Sequence, residues 1–206
     1  MTHYAMVIDL NTCVGCNSCM AACTIENQTS VWKGAWRTWV HDREIGTLDD
    51  VHRRFFPRLC NHCDNPPCMT VCPTGATHKL TNGIVMIDEE LCMGCRACAM
   101  ACPYDARTEV TYDDVERGKE FYGNDYRRTD PSMDKCTFCE HRVAKGEPPA
   151  CVQTCVGSAR MFGDLDDPKD QVAQLVASGV ATPLMPHFGT GPNNFYIGDL
   201  HVRRRG

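Results

Sequence analysis

The stretch CVGCNSCMAAC, residues 13–23, decides the fold of this chain because it places four thiols within one short loop. The same spacing, C-x2-C-x2-C-x3-C, returns in CMGCRACAMAC at residues 92–102. The sixteen cysteines of the 206-residue chain sort into four groups of four, each ending in C-x3-C, which is an internal repeat. In chain order the groups are Cys13, Cys16, Cys19 and Cys23; Cys60, Cys63, Cys68 and Cys72; Cys92, Cys95, Cys98 and Cys102; and Cys136, Cys139, Cys151 and Cys155.

Thiols at this spacing fit iron–sulfur ligation better than zinc. Zinc sites usually take two C-x2-C pairs separated by a longer spacer. In the two-cluster ferredoxin sequence, three cysteines ligate one cubane and the fourth ligates the other cluster. The third group, followed by Pro103, matches that sequence at every position. We therefore predict iron–sulfur clusters, with a zinc-stabilised interaction module as the main alternative.

The ferredoxin exchange rule predicts how the groups share ligands. Groups two and three are neighbours in the chain and would exchange their last cysteines, which leaves groups one and four to form a second such unit. The predicted ligand sets are Cys13, Cys16, Cys19 and Cys155 for cluster 1; Cys60, Cys63, Cys68 and Cys102 for cluster 2; Cys92, Cys95, Cys98 and Cys72 for cluster 3; and Cys136, Cys139, Cys151 and Cys23 for cluster 4.

Composition argues against several classes of protein. A formal net charge of −5 is not typical of a nucleic-acid-binding domain. A disulfide-bonded secreted module is disfavoured because the cysteines are grouped locally and MTHYAMVIDLN does not resemble a secretory signal peptide. No apolar run approaches the roughly eighteen residues of a membrane span, so we expect any membrane attachment to come from a partner.

The pattern predicts an α+β fold of two interleaved ferredoxin-like units, with short strands, short helices and long loops. A single body over residues 1–165 would contain unit A, from about 1–30 plus 132–165, and unit B, from about 55–107. YAMVIDL predicts a strand before the first group, and THKLTNGIVMID predicts a hairpin that turns at Asn82-Gly83.

Three segments lie outside these units. Residues 31–54 form a tryptophan-rich insertion, residues 108–131 a charged and tyrosine-rich insertion, and residues 166–206 a C-terminal extension. The extension contains a predicted helix in PKDQVAQLVAS, a predicted strand in NFYIGDL, and a terminal VRRRG that we interpret as a solvated tail.

The insertions give weaker signals. The spacing of Trp32, Trp36 and Trp39 is that of one helix face, and we favour cluster shielding or core packing over a docking surface. The second insertion carries Tyr112, Phe121, Tyr122 and Tyr126, and a solvated loop and a protein interface are equally consistent with it.

Two histidines and three cationic residues lie close to the cysteines in the sequence. No group lacks a cysteine, so His62 and His141 are expected beside the clusters or on the surface rather than as ligands. Arg96, Arg107 and Lys135 would raise cluster potentials if buried nearby, with surface solvation as the alternative for each.

A family resemblance covers residues 4–165. AMVIDLNTCVGCNSCMAAC, LCNHCDNPPCMTVCPTGAT, CRACAMACPYDAR and DKCTFCEHRVAKGEPPACVQTC resemble the iron–sulfur subunit of polysulfide reductase and of related thiosulfate, tetrathionate, arsenate and dimethyl sulfoxide reductases. Two features depart from the family pattern. Thr24 and Val156, not proline, follow the last cysteines of groups one and four, and residues 108–135 look longer than in polysulfide reductase.

The resemblance implies an electron-transfer subunit with no catalytic site of its own. Four [4Fe–4S] clusters would relay electrons between an integral-membrane quinone-handling subunit and a molybdenum or tungsten bis(pyranopterin) catalytic subunit that reduces a sulfur compound or similar oxyanion. It further implies membrane association through that partner on the extracytoplasmic face, with a cytoplasmic location as the alternative. A free polyferredoxin is the alternative function.

Overall fold

A computed structural model describes residues 2–47 and 50–198. Its elements are short and mix helix with strand, as predicted. In chain order they are β1 (Tyr4–Asp9), α1 (Ser18–Asn27), β2 (Thr38–Thr47), β3 (Asp50–Leu59), α2 (Pro67–Thr70), β4 (Thr77–Lys79), β5 (Val85–Ile87), α3 (Ala97–Met100), β6 (Thr108–Val110), α4 (Tyr112–Tyr122), β7 (Ser132–Asp134), α5 (Glu140–Val143), α6 (Ala150–Gln153), β8 (Arg160–Asp164), α7 (Gln171–Ala177), β9 (Thr182–Pro183) and β10 (Asn194–Ile197). Of the helices in these ranges, none has the length and apolar character needed to cross a membrane.

The largest sheet joins distant parts of the chain. Its strand order is β8-β1-β10-β9. The strand β1 pairs antiparallel with β8, where Tyr4 faces Asp164, and parallel with β10, where Met6 faces Asn194. The strand before the first cysteine group is therefore held between the strand that follows the last group and a strand from the C-terminal segment.

The two faces of β1 contact different cores. Side chains alternate across a strand, and Met6 and Ile8 join the core that contains many of the cysteines. Ala5 and Val7 join a second core with Val172 of α7. All four β1 residues are fully buried, which explains why YAMVIDL is apolar without an alternating pattern.

Several predicted elements are confirmed. The hairpin β4–β5 forms, and its turn ends at Gly83, whose φ of +85° suits glycine. The helix of PKDQVAQLVAS is α7, capped by Asp170, whose carboxylate accepts a hydrogen bond from the Val172 amide. The strand of NFYIGDL is β10 in its described part, whereas VRRRG lies outside the described residues.

The two insertions differ from expectation. The tryptophan spacing does not mark a helix face: Trp32 lies in a 3-10 turn that ends at Gly34, and Trp39 lies on β2, which forms a long hairpin with β3. The solvated loop considered after residue 108 is instead largely the helix α4, which begins with a capping box formed by Thr111 and Asp114.

Candidate iron–sulfur sites

The first C-x2-C pair of each group shares one backbone feature. The residue before the second cysteine of each pair has a positive φ: 67° at Gly15, 44° at His62, 67° at Gly94 and 51° at Phe138. This left-handed conformation is costly for a residue with a Cβ, by about 1–2 kcal/mol. Two of the four loops nevertheless use His62 and Phe138 there, so the loop shape is imposed by the site rather than by glycine alone.

His62 and Phe138 stabilise one another between loops two and four. Their rings stack with centroids 3.8 Å apart, and both residues are almost fully buried. The Val85 amide donates to Nδ1 of His62 at 3.1 Å. Burial lowers the pKa of His62 well below its usual range, so the ring is neutral. His62 is therefore packed beside the cysteine loops, as expected.

Two predicted ligand sets each line one cavity. Cys13, Cys16, Cys19 and Cys155 line a cavity together with Gly15 and Arg160. A second cavity is lined by Cys60, Cys63, Cys68 and Cys102, together with Arg107 and Tyr104. The structure thus brings together the first group with the end of the fourth, and the second group with the end of the third.

The fourth group lies close to the end of the first. The thiols of Cys23, Cys151 and Cys139 lie near enough to Cys136 to raise its pKa, after the larger effect of burial. The amide Nδ2 of Asn27 donates to Sγ of both Cys23 and Cys139, at 3.5 and 3.7 Å. One side chain therefore links cysteines of two groups.

The helices that carry cysteines pack in two equivalent pairs. The helix α1, with Cys19 and Cys23, contacts α6, with Cys151. The helix α2, with Cys68, contacts α3, with Cys98. The last cysteines of groups two and three, Cys72 and Cys102, each lie two residues beyond the end of α2 or α3. This is the neighbourhood expected for the set Cys92, Cys95, Cys98 and Cys72.

The donor chemistry fits cubane clusters. All sixteen cysteines are free thiols. Across residues 2–47 and 50–198, no three His, Cys, Asp or Glu side chains lie close enough to hold a single metal ion. The thiols are spread around cavities instead, as the corners of a multi-iron cluster require.

Burial raises the pKa of seven of these thiols and makes them reluctant to ionise without metal. It raises the pKa of Cys63 to about 12 and that of Cys151 to about 11. Burial by itself would raise the pKa of Cys72 too, but hydrogen bonds from Thr77 and Thr74 outweigh it and lower the pKa to about 7. Since thiolate is the ligating form, iron binding releases protons from the buried groups.

Backbone amides point at several sulfurs. The amide of Ala159 donates to Cys155 Sγ at 3.2 Å. Hydrogen bonds to ligand sulfur favour the more negative, reduced cluster and so tune its potential. Three further amides donate to sulfur at 3.4 Å: Thr77 to Cys72, Met133 to Cys92 and Phe138 to Cys136.

Buried cations add positive charge near the thiols. Arg107 and Lys135 are both almost fully buried, so surface solvation is the wrong interpretation for both. Nζ of Lys135 donates to the carbonyls of Val85 and Cys136. Arg96 differs, because its side chain is 62% exposed and forms an ion pair with Glu109 at 2.7 Å.

Sequence reasoning missed Arg160 and the C-terminal asparagines. Arg160 is buried and contacts cysteines of two groups. Asn193 donates to the His62 carbonyl at 2.8 Å, and Asn194 donates to the Cys60 carbonyl at 2.5 Å. Asn193 and Asn194 lie far along the chain from the loop that they hold, so no local sequence pattern marks these contacts. The only signal is a pair of asparagines at the start of an apolar strand.

His141 contacts a carboxylate. Its Nε2 is 2.6 Å from the carboxylate of Glu26, which also accepts from Arg142 at 2.9 Å. Hydrogen bonds from His141 and Arg142 lower the pKa of Glu26 although burial opposes the shift. The three side chains tie α1 to α5, so His141 has a structural contact and is not placed as a ligand.

Comparisons with known proteins agree with this chemistry. A family model described as a 4Fe-4S dicluster domain matches residues 51–119 and 119–165, and another of the same description matches residues 12–76. The chain is 44% identical over 200 residues to one subunit of the tetrathionate reductase of Salmonella typhimurium, covering 95% of this chain and 72% of that protein.

Two further relatives align along most of their length. The arsenate respiratory reductase iron–sulfur subunit of a Shewanella species is 39% identical over 233 residues, covering 96% of this chain and 97% of the relative. One polypeptide of the polysulfide reductase of Wolinella succinogenes is 36% identical over 198 residues, covering 94% and 93% respectively.

Proposed function

The chain belongs to the family of 4Fe-4S dicluster iron–sulfur subunits of oxidoreductase complexes, and from that membership we propose that it relays single electrons through four [4Fe–4S] clusters. Such clusters, when bound, accept and release one electron at a time. The chain's own residues hold them, screen them from water and set their potentials. The catalytic reaction takes place in another subunit.

The proposed ligand sets are those predicted from the spacing. Cavities lined by four cysteines support clusters 1 and 2. The surroundings of Cys136 and the double hydrogen bond of Asn27 support cluster 4. The packing of α2 on α3 supports cluster 3. The pairing of β1 with β8 supports an interleaved arrangement in which groups one and four form one unit.

The observation that carries the proposal is the difference in exposure between the cysteines. Cys16 and Cys95 are exposed, whereas all the proposed ligands of cluster 4 are buried. In cluster 2, three of the four ligands are buried. Clusters 1 and 3 are therefore proposed as the two ends of a row, with clusters 4 and 2 in its interior.

Contacts between loops support an order within the interior. Cys60 of cluster 2 is among the thiols that raise the pKa of Cys136 in cluster 4, after the larger effect of burial. The stack of His62 on Phe138 also joins these loops. The proposed row is thus 1, 4, 2, 3, with one electron entering at one end and leaving at the other.

Apolar side chains surround both ends of the row. Val14 and Val156 are largely exposed beside cluster 1. Met93 and Met100 are largely exposed beside cluster 3. Exposed apolar side chains suit docking of protein partners, so each end is proposed as an interface.

The relatives suggest which partners would dock there. Their names describe subunits of tetrathionate, arsenate and polysulfide reductases. We propose a molybdenum or tungsten bis(pyranopterin) subunit at one end, reducing a sulfur compound or similar oxyanion, and a quinone-handling membrane subunit at the other. The membrane subunit would attach the complex to the extracytoplasmic face of the membrane.

Metal analysis of the native complex tests the proposal. The complex is purified anaerobically from its host, and iron, zinc, molybdenum and tungsten are measured per chain. Four cubanes predict about 16 iron atoms in this chain, with molybdenum or tungsten in a partner. The same iron without either metal would identify a free polyferredoxin, and zinc in place of iron would refute the clusters.

Two cysteine variants test the ligand sets. Cys155→Ser should perturb the cluster held by Cys13, Cys16 and Cys19, and Cys23→Ser the cluster held by Cys136, Cys139 and Cys151. Electron paramagnetic resonance (EPR) of the reduced protein distinguishes the clusters. If each variant perturbed the cluster of its own sequence group instead, the exchange of ligands between groups would be wrong.

A further inference from the structure

Arg107 and Arg160 occupy matching places in the two proposed units. Nη1 of Arg107 donates to the Thr77 hydroxyl at 3.1 Å, and Nη2 donates to Cys68 Sγ at 2.9 Å. Nη2 of Arg160 donates to the Thr38 hydroxyl at 2.7 Å. Each guanidinium is thus held by one threonine and directed at cysteine sulfur.

Each arginine faces thiols of two different ligand sets. Arg160 contacts Cys19 at 3.5 Å and Cys151 at 3.7 Å, which are proposed ligands of clusters 1 and 4. The charge of Arg107 interacts with Cys68 and Cys98, proposed ligands of clusters 2 and 3. The two guanidinium groups therefore lie at the outer junctions of the row, 1–4 and 2–3.

Within residues 2–47 and 50–198, neither arginine has a carboxylate partner. In the described part of the chain, no Asp or Glu oxygen lies within ion-pair distance of Arg107 or Arg160. Other arginines that are mostly but not fully buried are compensated: Arg37 pairs with Asp134 at 2.8 Å, and Arg142 pairs with Glu26 at 2.9 Å. A buried charge is costly unless it is paired, so the thiolates and the clusters they hold are the counter-charges of the two exceptions.

On the basis of the proposed four-cluster function, we propose that Arg107 and Arg160 each raise the reduction potentials of both clusters at their junction. A reduced cubane carries one more negative charge than an oxidised one, so a fixed cation beside it favours reduction. The effect is large where burial keeps the effective dielectric low. Because arginine stays protonated, this charge does not depend on pH.

The step that these residues assist is simple electron exchange. One electron leaves one cluster of the pair, which is oxidised, and enters its neighbour, which is reduced. No bond forms or breaks and no proton moves. A cation that faces both partners stabilises the added electron on either side by a similar amount, so it raises both potentials without favouring one cluster over its neighbour.

The test uses Arg160→Gln and Arg107→Gln in the full complex. Redox titration followed by EPR gives the potential of each cluster. Arg160→Gln should shift the reduction equilibrium of clusters 1 and 4 by about tenfold, which lowers their potentials by about 59 mV, and leave clusters 2 and 3 unchanged. Arg107→Gln should show the reverse selectivity, whereas Arg160→Lys and Arg107→Lys should restore most of each shift.

Controls separate charge from folding. Arg142→Gln removes a mostly buried but compensated arginine and should shift no potential selectively. If a glutamine variant fails to load iron, Thr38→Val or Thr77→Val releases the guanidinium without removing its charge, and should shift the same two clusters by a smaller amount. Absence of any shift, or equal shifts in all four clusters, would overturn the inference.

Measurements on the wild-type protein separate the test of the arginines from the test of the proposed function. Its iron content and its number of EPR-active clusters test the four-cluster proposal before any variant is made. If all four clusters are intact and their potentials do not change in either arginine variant, only the role of the arginines is refuted.

Discussion

Gly15 and Gly94 occupy equivalent positions in two cysteine loops, and both have a φ of +67°. Their surroundings differ. A Cβ on Gly15 would lie 2.3 Å from the ring of Phe55, whereas a Cβ on Gly94 would meet nothing within 4 Å. Phe55 of β3 therefore covers the first loop. Glycine suits position 15 because of its left-handed backbone conformation and because the ring of Phe55 leaves no space for a side chain.

We expect Gly15→Ala to be more damaging than Gly94→Ala. Both alanines carry the strain of a left-handed residue, about 1–2 kcal/mol. The added methyl group of Gly15→Ala would also overlap Phe55. Overpacking of this kind typically destabilises a protein by about 1–3 kcal/mol, in addition to the backbone strain. Thermal loss of the iron–sulfur absorption band should occur at the lowest temperature in Gly15→Ala.

Removing the ring is the control for that comparison. Phe55→Ala in the Gly15→Ala background should recover much of the difference, since the added methyl group then has space. Equal melting temperatures for the two single variants would mean that Phe55 moves aside without cost and does not constrain the loop.

At the scale of single residues, sequence and structure agree best where chemistry is local. The spacing of sixteen cysteines is enough to predict the type of cofactor. Arg160 shows the limit, because its partners Cys19 and Thr38 lie 141 and 122 positions earlier and no local pattern marks the contact. Whether an arginine is buried or solvated depends on such long-range packing.

The helix α4 depends on Asp114 at its first turn. Asp114 accepts hydrogen bonds from the Thr111 amide and hydroxyl at 2.8 Å, from Trp32 Nε1 at 2.9 Å, and from Lys33. Burial alone would raise its pKa, but these donors outweigh burial and lower the pKa to about 2. One carboxylate thus joins the tryptophan-rich segment to α4.

We expect Asp114→Asn to loosen this element at neutral pH. The lowered pKa corresponds to about 2 kcal/mol of stability, which is present above pH ~4 and lost as the pH falls towards ~2. Amide hydrogen exchange of the segment from Thr108 to Tyr126 should therefore quicken by roughly 30-fold at neutral pH. Near neutral pH the contribution of Asp114 does not change with pH.

Asp113→Asn is the matched control. Asp113 is in the same first turn, but its side chain is 73% exposed and forms an ion pair with Arg117. Its loss should change exchange little, because exposed ion pairs contribute little. Similar acceleration in both variants would assign the effect to helix charge rather than to the contacts of Asp114.

The contacts of the tryptophans explain why the sequence alone wrongly predicts a helix face in the tryptophan-rich segment. A spacing of four and three fits a helix face, yet Trp32 bonds to Asp114 and packs near Phe121, both in α4. Trp39 instead stacks on His41, two residues along the strand β2, at 4.9 Å. Tertiary contacts therefore decide the conformation of a segment whose local preference is weak.

The proposed row of clusters has a buried middle and two more exposed ends, which predicts an order of cluster loss. An iron chelator reaches exposed ligands first, so clusters 1 and 3, with Cys16 and Cys95 exposed, should be lost before clusters 4 and 2. EPR spectra recorded during anaerobic chelation would follow each cluster. The intact complex should protect the ends that its partners cover, and earlier loss of cluster 4 would contradict the proposed row.

The central sheet also has a consequence for synthesis. Its strand β1 is made first, but its neighbours β8 and β10 are Arg160–Asp164 and Asn194–Ile197. At roughly 5–20 residues per second, about ten seconds separate the first cysteine loop from Cys155 on the ribosome. A nascent chain of this topology cannot enclose β1 in the sheet until β10 has been made, so we expect maturation with iron to follow that strand rather than to accompany translation of the first loop.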